Sequence, residues 1–234
     1  MRVDSAPWRL GGTGRPRNWR SAVVGLSERV ELRHLPTAPV DHAGDDAIPV
    51  SRAGTLAVAE VTVRATGQKL LLASMYGAWE APRFAGPRPW IYADASVHRV
   101  ISDLSLISSQ NGHRILAGGD LNVLRGYGEH GSAYWAARYA TVFDRMEALG
   151  LPCVGPDLPD GIDLGACASA ERPATSRTVP TFRTRASDPT SATRQLDFIF
   201  ASRRLASSLT VRACSALDAW GPSDHCRIEI DVSV

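Results

Sequence analysis

The sequence predicts a mixed α/β domain in which hairpin strands alternate with helical crossovers. Three observations predict it. Residues 55–63 and 69–76 are apolar, β-branched runs joined by the short turn RATGQ, as antiparallel neighbours should be. Val97, Val100, Ile101, Leu104 and Ile107 recur at helical spacing, and so do Trp135, Tyr139, Val142, Phe143, Met146 and Leu149. Strand-like runs at 195–201, 209–213 and 227–234 close the chain, the last alternating at Ile228, Ile230, Val232 and Val234.

In chain order, residues 1–20 are rich in Pro, Gly and Arg and read as an irregular segment ahead of one domain at 21–234. The apolar run 21–26 reads as a strand and residues 36–54 as a surface loop. After the hairpin, the proline-rich stretch 80–91 reads as a loop. The first helix opens near Tyr92, with Asp94 and Ser96 as candidate N-caps, and stops at Asn111-Gly112. A short strand, 114–117, runs into Gly118-Gly119-Asp120-Leu121-Asn122. The second helix stops at Gly150. Residues 155–193 are polar and long for a loop, a length that is uncommon unless the segment is functional or disordered.

The 234 residues carry a net charge of +2, 44% hydrophobic and 21% charged residues, which is ordinary for a globular domain and demands no polyanionic partner. Lys69 is the only lysine; the remaining basic residues are arginines, the better bidentate phosphate binders. No apolar run approaches the roughly 20 residues that cross a membrane, and residues 1–20 lack the apolar stretch of a signal peptide. These features point to a cytoplasmic protein. Cys153, Cys167, Cys214 and Cys226 form no CxxC pair, which argues against zinc and for free thiols packed as small hydrophobes.

Three polar segments sit at the ends of apolar strands. In GGDLN, Asp120 and Asn122 are two residues apart, so on an extended chain a carboxylate and an amide project together, able to hold a metal or orient a water. The competing structural expectation is an Asx turn. In RQLDFIF, Asp197 lies within an apolar strand, where a carboxylate is costly without a partner; it pairs with a cation such as Arg194 or orients a catalytic group. In GPSDHC, Asp224 and His225 precede the last strand, and His225 is a natural proton carrier near neutral pH.

The order GDLN, LDFIF, SDH before an alternating terminal strand resembles the endonuclease/exonuclease/phosphatase superfamily, which includes pancreatic-type deoxyribonucleases, abasic-site endonucleases, inositol polyphosphate phosphatases and bacterial sphingomyelinases. LLLASMYGAW is similar to the family strand that ends in an active-site Tyr or His. The resemblance covers residues 19–234. It implies a four-layer α/β sandwich of two packed mixed β-sheets with outer helices, its active site at the rim where strand-end loops converge. It implies that Asp120 and Asn122 orient the attacking water and stabilise the phosphoryl transition state, that Asp197 holds the catalytic His225, that Asp224 lies near the metal with Asp120, and that Tyr76 contacts the phosphate. Thr181 and Phe182 fall where the family places a substrate-facing loop. The implied cofactor is Mg²⁺, or Mn²⁺, which neutralises phosphoryl oxygens and prefers carboxylate and water ligands.

The family domain also opens with a strand carrying an asparagine and a second strand ending in Gln-Glu, whose glutamate binds the metal. This sequence contains no Gln-Glu pair, and Glu28 and Glu31 follow the first strand rather than precede it. The expectation is an N-terminally truncated domain, either started at an internal methionine or weakened in metal binding. Three functions stay open: a metal-dependent phosphodiesterase or nuclease acting on nucleic acid; a non-catalytic remnant binding a phosphate ligand or partner; and a phosphoinositide or small-molecule phosphatase. The first draws on arginines in expected loops, Arg83, Arg88, Arg125, Arg177, Arg183 and Arg185.

Overall fold

The computed structural model describes residues 2–3, 21–79, 93–108, 114–158, 172–173, 176–184 and 187–233. Its centre is a six-stranded mixed sheet. The strands are β3 (Val30–Leu35), β6 (Leu56–Val63), β7 (Lys69–Tyr76), β8 (Ile115–Asp120), β10 (Asp197–Ala201) and β9 (Cys153–Gly155), side by side in that order. The β6–β7 hairpin is antiparallel, β7 and β8 are parallel, and β10 lies antiparallel between β8 and β9. The parallel β7–β8 step is bridged by α1 (Ala93–Ser108), since a parallel pair requires a crossover.

Alternation along the strands gives the sheet two apolar faces. Leu71, Ala73 and Met75 of β7, Ile115 and Ala117 of β8, and Phe198 and Phe200 of β10 point one way. They pack against Val97, Ile101 and Leu104 of α1 and Tyr139, Val142 and Met146 of α2 (Ala133–Ala148). Phe143 meets Phe198 edge-on at 5.0 Å. The opposite face presents Leu70, Leu72, Leu116 and Ile199, covered by Val211 of β11 (Leu209–Cys214) and Ile228, Ile230 and Val232 of β12 (Arg227–Val232). A single helical turn, α3 (Arg203–Ala206), leads into β11.

Several expectations change. Only Ala22–Val23 of the run 21–26 is extended; this β2 pairs with β1 (Arg2–Val3), a strand inside the segment expected to be irregular. The expected loop 36–54 contains β4 (Thr37–Pro39) and β5 (Ile48–Val50), a short parallel pair. β8 runs three residues past its expected end, because Gly118 and Gly119 let neighbouring backbones close in: a Cβ at Gly119 would collide with the Met75 carbonyl, and one at Gly118 with Ile199. Asp94 and Ser96 lie inside α1 rather than at its cap. Asp94 pairs with Arg138 at 2.6 Å, and the Ser96 hydroxyl accepts the Ala78 N–H. The loop expected at 80–91 and the stop at Asn111-Gly112 lie outside the described residues. The main sheet and its helical layer match the expected sandwich. On the second face the described residues form two two-stranded sheets, β1–β2 and β11–β12. No helix among the described residues is long and apolar enough to cross a membrane. Cys153, Cys214 and Cys226 are free thiols, and Cys167 lies outside the described residues.

Candidate active site

The candidate residues converge at one end of the central sheet because three adjacent strands reach it in register. Tyr76 ends β7, Asp120 ends β8 and Asp197 begins β10; Tyr76 is the register partner of Asp120, and Asp120 of Asp197. Being in register, they share the sheet face opposite α1 and α2, the face also occupied by Leu116 and Ile199. β12 starts at Arg227, two residues after His225, so the β11–β12 ribbon that covers this face carries the imidazole to the same place.

His225 Nδ1 bonds Asp197 Oδ2 at 2.8 Å, and its Nε2 stands 3.9 Å from Asp120 Oδ2. Asp197 therefore has the His225 ring as a partner. Arg194 Nη1 pairs with Glu129 Oε2 at 2.8 Å. A second group holds the carboxylate: the Thr181 hydroxyl donates to Asp197 Oδ2 at 2.7 Å and accepts the backbone N–H groups of Leu196 and Asp197 at 3.1 and 3.3 Å. Thr181 has no exposed surface. This corrects its expected position on a substrate-facing loop: accepting from two amides directs its own proton onto Asp197. Phe182 packs its ring against that of His225, centroids 5.1 Å apart. Both residues stay in place because Thr181 and Phe182 donate their N–H groups to the Arg194 carbonyl while Cys226 N–H bonds the Thr181 carbonyl.

Asn122 reaches the site by a different route from the one expected. The chain leaves the strand after Asp120, and Asn122 adopts the left-handed conformation, φ 52°. Its N–H donates to Asp120 Oδ1 at 3.0 Å, closing an Asx turn. Its Nδ2 donates to Asp120 Oδ2 at 3.1 Å and to the Gly77 carbonyl at 2.8 Å. The turn and the convergence of amide and carboxylate are one structure here, not competing ones. Asp224 lies beside His225 in sequence, and its carbonyl accepts the Arg183 N–H at 2.9 Å.

Electrostatics follow from this packing. Burial first, and the Asp197 charge second, push the Asp120 carboxyl up to about 7, against the opposing influence of His225 and the Asn122 bonds. Burial works against a charged His225, but the Asp197 hydrogen bond and charge, then the charges of Asp120 and Asp224, outweigh it and raise the ring to about 9. At neutral pH the cluster thus holds a protonated imidazole beside a carboxylate close to its titration point.

Asp120, Asp197 and His225 place donor atoms within 4.8 Å of one another, the spacing of a metal site. His225 Nδ1 and Asp197 already satisfy each other, which leaves the Asp120 carboxylate as the hard oxygen donor of this group; the Asp224 charge is felt at His225, but its carboxylate is not among the group. Burial, and then the Asp197 charge, raise Asp120, and a divalent cation would offset both, so the Asp120 carboxylate fits such an ion. One contributor went unnoticed in the sequence. Gln195, 1% exposed, accepts the Val179 N–H and donates to the Pro156 and Asp197 carbonyls, tying the Thr181 segment to β10. Its signal was a polar residue at the head of an apolar strand.

No protein-family model and no curated protein sequence matches this chain. Solved structures do. The AP endonuclease LMAP from Leishmania major superposes with a TM-score of 0.50 at 15% identity, over 87% of this chain and 61% of that one. A single-residue variant of the 3′ phosphatase NExo from Neisseria, bound to product DNA hairpin, gives 0.51 at 14% identity, over 88% of this chain and 71% of that one. This chain therefore spans about three fifths of the length of the Leishmania enzyme.

Proposed function

We propose, from the endonuclease/exonuclease/phosphatase fold that this chain carries, that it is a metal-dependent phosphoester hydrolase, and more narrowly a phosphodiesterase or nuclease that acts on nucleic acid. The observation that carries the reading is the Thr181–Asp197–His225 chain, whose far end, Nε2, faces Asp120 across 3.9 Å. In this reading the β1–β2 and β11–β12 ribbons stand for the second sheet of a four-layer sandwich. The DNA hairpin bound to the Neisseria phosphatase supports nucleic acid as the substrate class.

The residues divide the work by their surroundings. Thr181 and Asp197 fix the orientation of His225 and keep it charged, as the carboxylate does in hydrolytic triads. The Nε2–H then donates to a phosphoryl oxygen and offsets its growing charge. The separation from Asp120 leaves reach for one oxygen atom between the two side chains. Asp120, steadied by Asn122, orients the attacking water and accepts its proton. Asn122 locks the Asp120 carboxylate, and Tyr76, next in the row, lines the phosphate side. Asp120 would hold a divalent ion, Mg²⁺ or Mn²⁺, with Asp224 as the second ligand the sequence resemblance implies, and such an ion would supply Lewis-acid neutralisation of the phosphoryl group.

The test is turnover by the purified chain with Mg²⁺ or Mn²⁺ on abasic and intact DNA, a 3′-phosphorylated oligonucleotide and inositol phosphates. DNA cleavage that Asp120→Ala and His225→Ala each abolish supports the reading. Cleavage unaffected by both sinks it, and turnover confined to inositol phosphates transfers it to the phosphoinositide class. One observation favours a second reading, phosphate binding without turnover: among the described residues the cluster contains no glutamate.

A further inference from the structure

A cleft of about 270 Å³ opens at the same end of the sheet, beyond β10. Arg125 and Gly126 of the segment after β8 line it, with Asp157 just past β9 and Ser176, Arg177 and Thr178 of the segment that leads to Thr181. The topology fixes its place. β9 is antiparallel to β10 and so runs parallel to β8, which brings Asp157 to the end of the sheet that holds Asp120. Asp157 in turn bridges Thr178. Two strand spacings, roughly 10 Å, separate the cleft from Asp120. Arg125 lies over the Phe143 ring at 5.8 Å, on the helix side of the sheet, whereas His225 lies on the other side. A chain laid across the end of the sheet would meet both.

The cleft is built for an anion. Arg125 pairs with Asp157 at 2.9 Å, which holds its guanidinium in place and cancels one charge. Arg177, exposed, donates Nη2 to the Leu158 carbonyl at 3.0 Å, which orients a group that has five donors in all. Arg172 is buried behind the same wall. Its Nη1 donates to the Thr178 carbonyl at 2.8 Å, and its Nε is buried with no acceptor among the described residues. Among the described residues, the Arg125 and Arg177 guanidinium groups line the cleft with the Asp157 carboxylate, beside the Ser176 and Thr178 hydroxyls, which bond each other at 2.8 Å, and Arg172 stands behind Thr178. Planar guanidinium forks suit phosphate oxygens.

We infer that this cleft binds a second phosphate of the substrate, so that the substrate is a polynucleotide strand rather than a small phosphoester; the inference rests on the phosphoesterase reading.

The test measures two quantities on the intact chain. Binding of a fluorescein-labelled single-stranded oligonucleotide is followed by anisotropy in EDTA over a range of salt, and turnover of bis(p-nitrophenyl) phosphate is followed with Mg²⁺. The variants are Arg177→Gln and, as control, Arg64→Gln, an exposed arginine at the opposite end of the sheet. Arg177→Gln is expected to weaken oligonucleotide binding about tenfold and to reduce the salt slope by about one. Turnover of the small diester should stay unchanged, and Arg64→Gln should match the wild type throughout. Oligonucleotide affinity untouched by Arg177→Gln, or no salt-sensitive binding by the wild type, overturns the inference. Weakened binding in Arg177→Gln, with no turnover of any substrate by the wild type, upholds the cleft and rejects the hydrolase.

Discussion

Asp120 and Asp197 are direct cross-strand partners on β8 and β10, and the His225 ring bonds only one of them: Asp197 at 2.8 Å, with Asp120 left at 3.9 Å. Like charges placed opposite each other destabilise a sheet. A ring seated unevenly between them gives two equivalent side chains different tasks. Asp197, bonded also by Thr181, orients the imidazole. Asp120 keeps a high affinity for a proton or a cation.

Thr181 is a positioning residue. Thr181→Val keeps the shape but removes the hydroxyl from Asp197 and from two backbone amides, while Thr181→Ser keeps the bonds. A lost hydrogen bond to a charged group corresponds to roughly 1.5–3 kcal/mol. The valine variant should therefore lose roughly ten- to a hundredfold in kcat, with the alkaline limb of its pH–rate profile moved toward neutrality. Serine should restore both. A folded valine variant with an unchanged profile would exclude the role.

The pH dependence of stability has a defined sign. His225 is raised from 6.5 to about 9, so its contribution is complete below about 6.5 and disappears as pH climbs through about 9. It amounts to at most about 3 kcal/mol. Asp120, raised from 3.8 to about 7, favours its protonated form in the fold, and that contribution fades as pH rises from about 4 to 7. Both trends run downward with pH. Urea unfolding of the metal-free chain at several pH values should show it, and His225→Gln should flatten the upper window while Asp120→Asn flattens the lower. Variant and wild-type curves that run parallel would contradict the assignment.

Metal should reverse the Asp120 effect. Millimolar Mg²⁺ or Mn²⁺ should raise Tm more at pH 8 than at pH 5, where a proton occupies the carboxyl the ion would take. Asp120→Asn should lose most of that shift. A Tm gain of equal size at both pH values, retained by the variant, would place the ion elsewhere.

Asn122 combines a left-handed backbone with a buried, bonded amide. Asn122→Ala loses the bonds and keeps the unfavourable φ, so it should cost roughly 2–4 kcal/mol of stability. Asn122→Gly relieves the backbone and should recover about 1 kcal/mol of that in chemical denaturation. Equal losses for the two would show that the side chain alone matters.

How much of this was legible in the sequence differs by level. The hairpin, both major helices and the closing strands are visible because each buries one face, and burial writes its own period into the chain, two for β7 and about 3.6 for α1 and α2. β4, β5 and β9 were missed because strands of three residues are too short to carry a period. The strand expected at 114–117 stops short of Gly118 and Gly119, which carry no apolar side chain to mark a strand, and that lack of side chains is what lets Met75 and Ile199 approach.

The site divides the same way. By itself the sequence determined which polar residues stand at the ends of apolar strands: Asp120, Asn122, Asp197, Asp224 and His225. Those positions follow from local pattern and order along the chain. Only the tertiary structure decided how they act. Register on the central sheet sets Asp120 opposite Asp197, the β11–β12 ribbon brings in His225, and the Arg194 carbonyl seats Thr181 under the dyad. The physical reason is that a hydrogen bond depends on a few ångströms of separation, and partners 16 to 28 residues apart acquire that separation only when the sheet and its covering ribbon have formed.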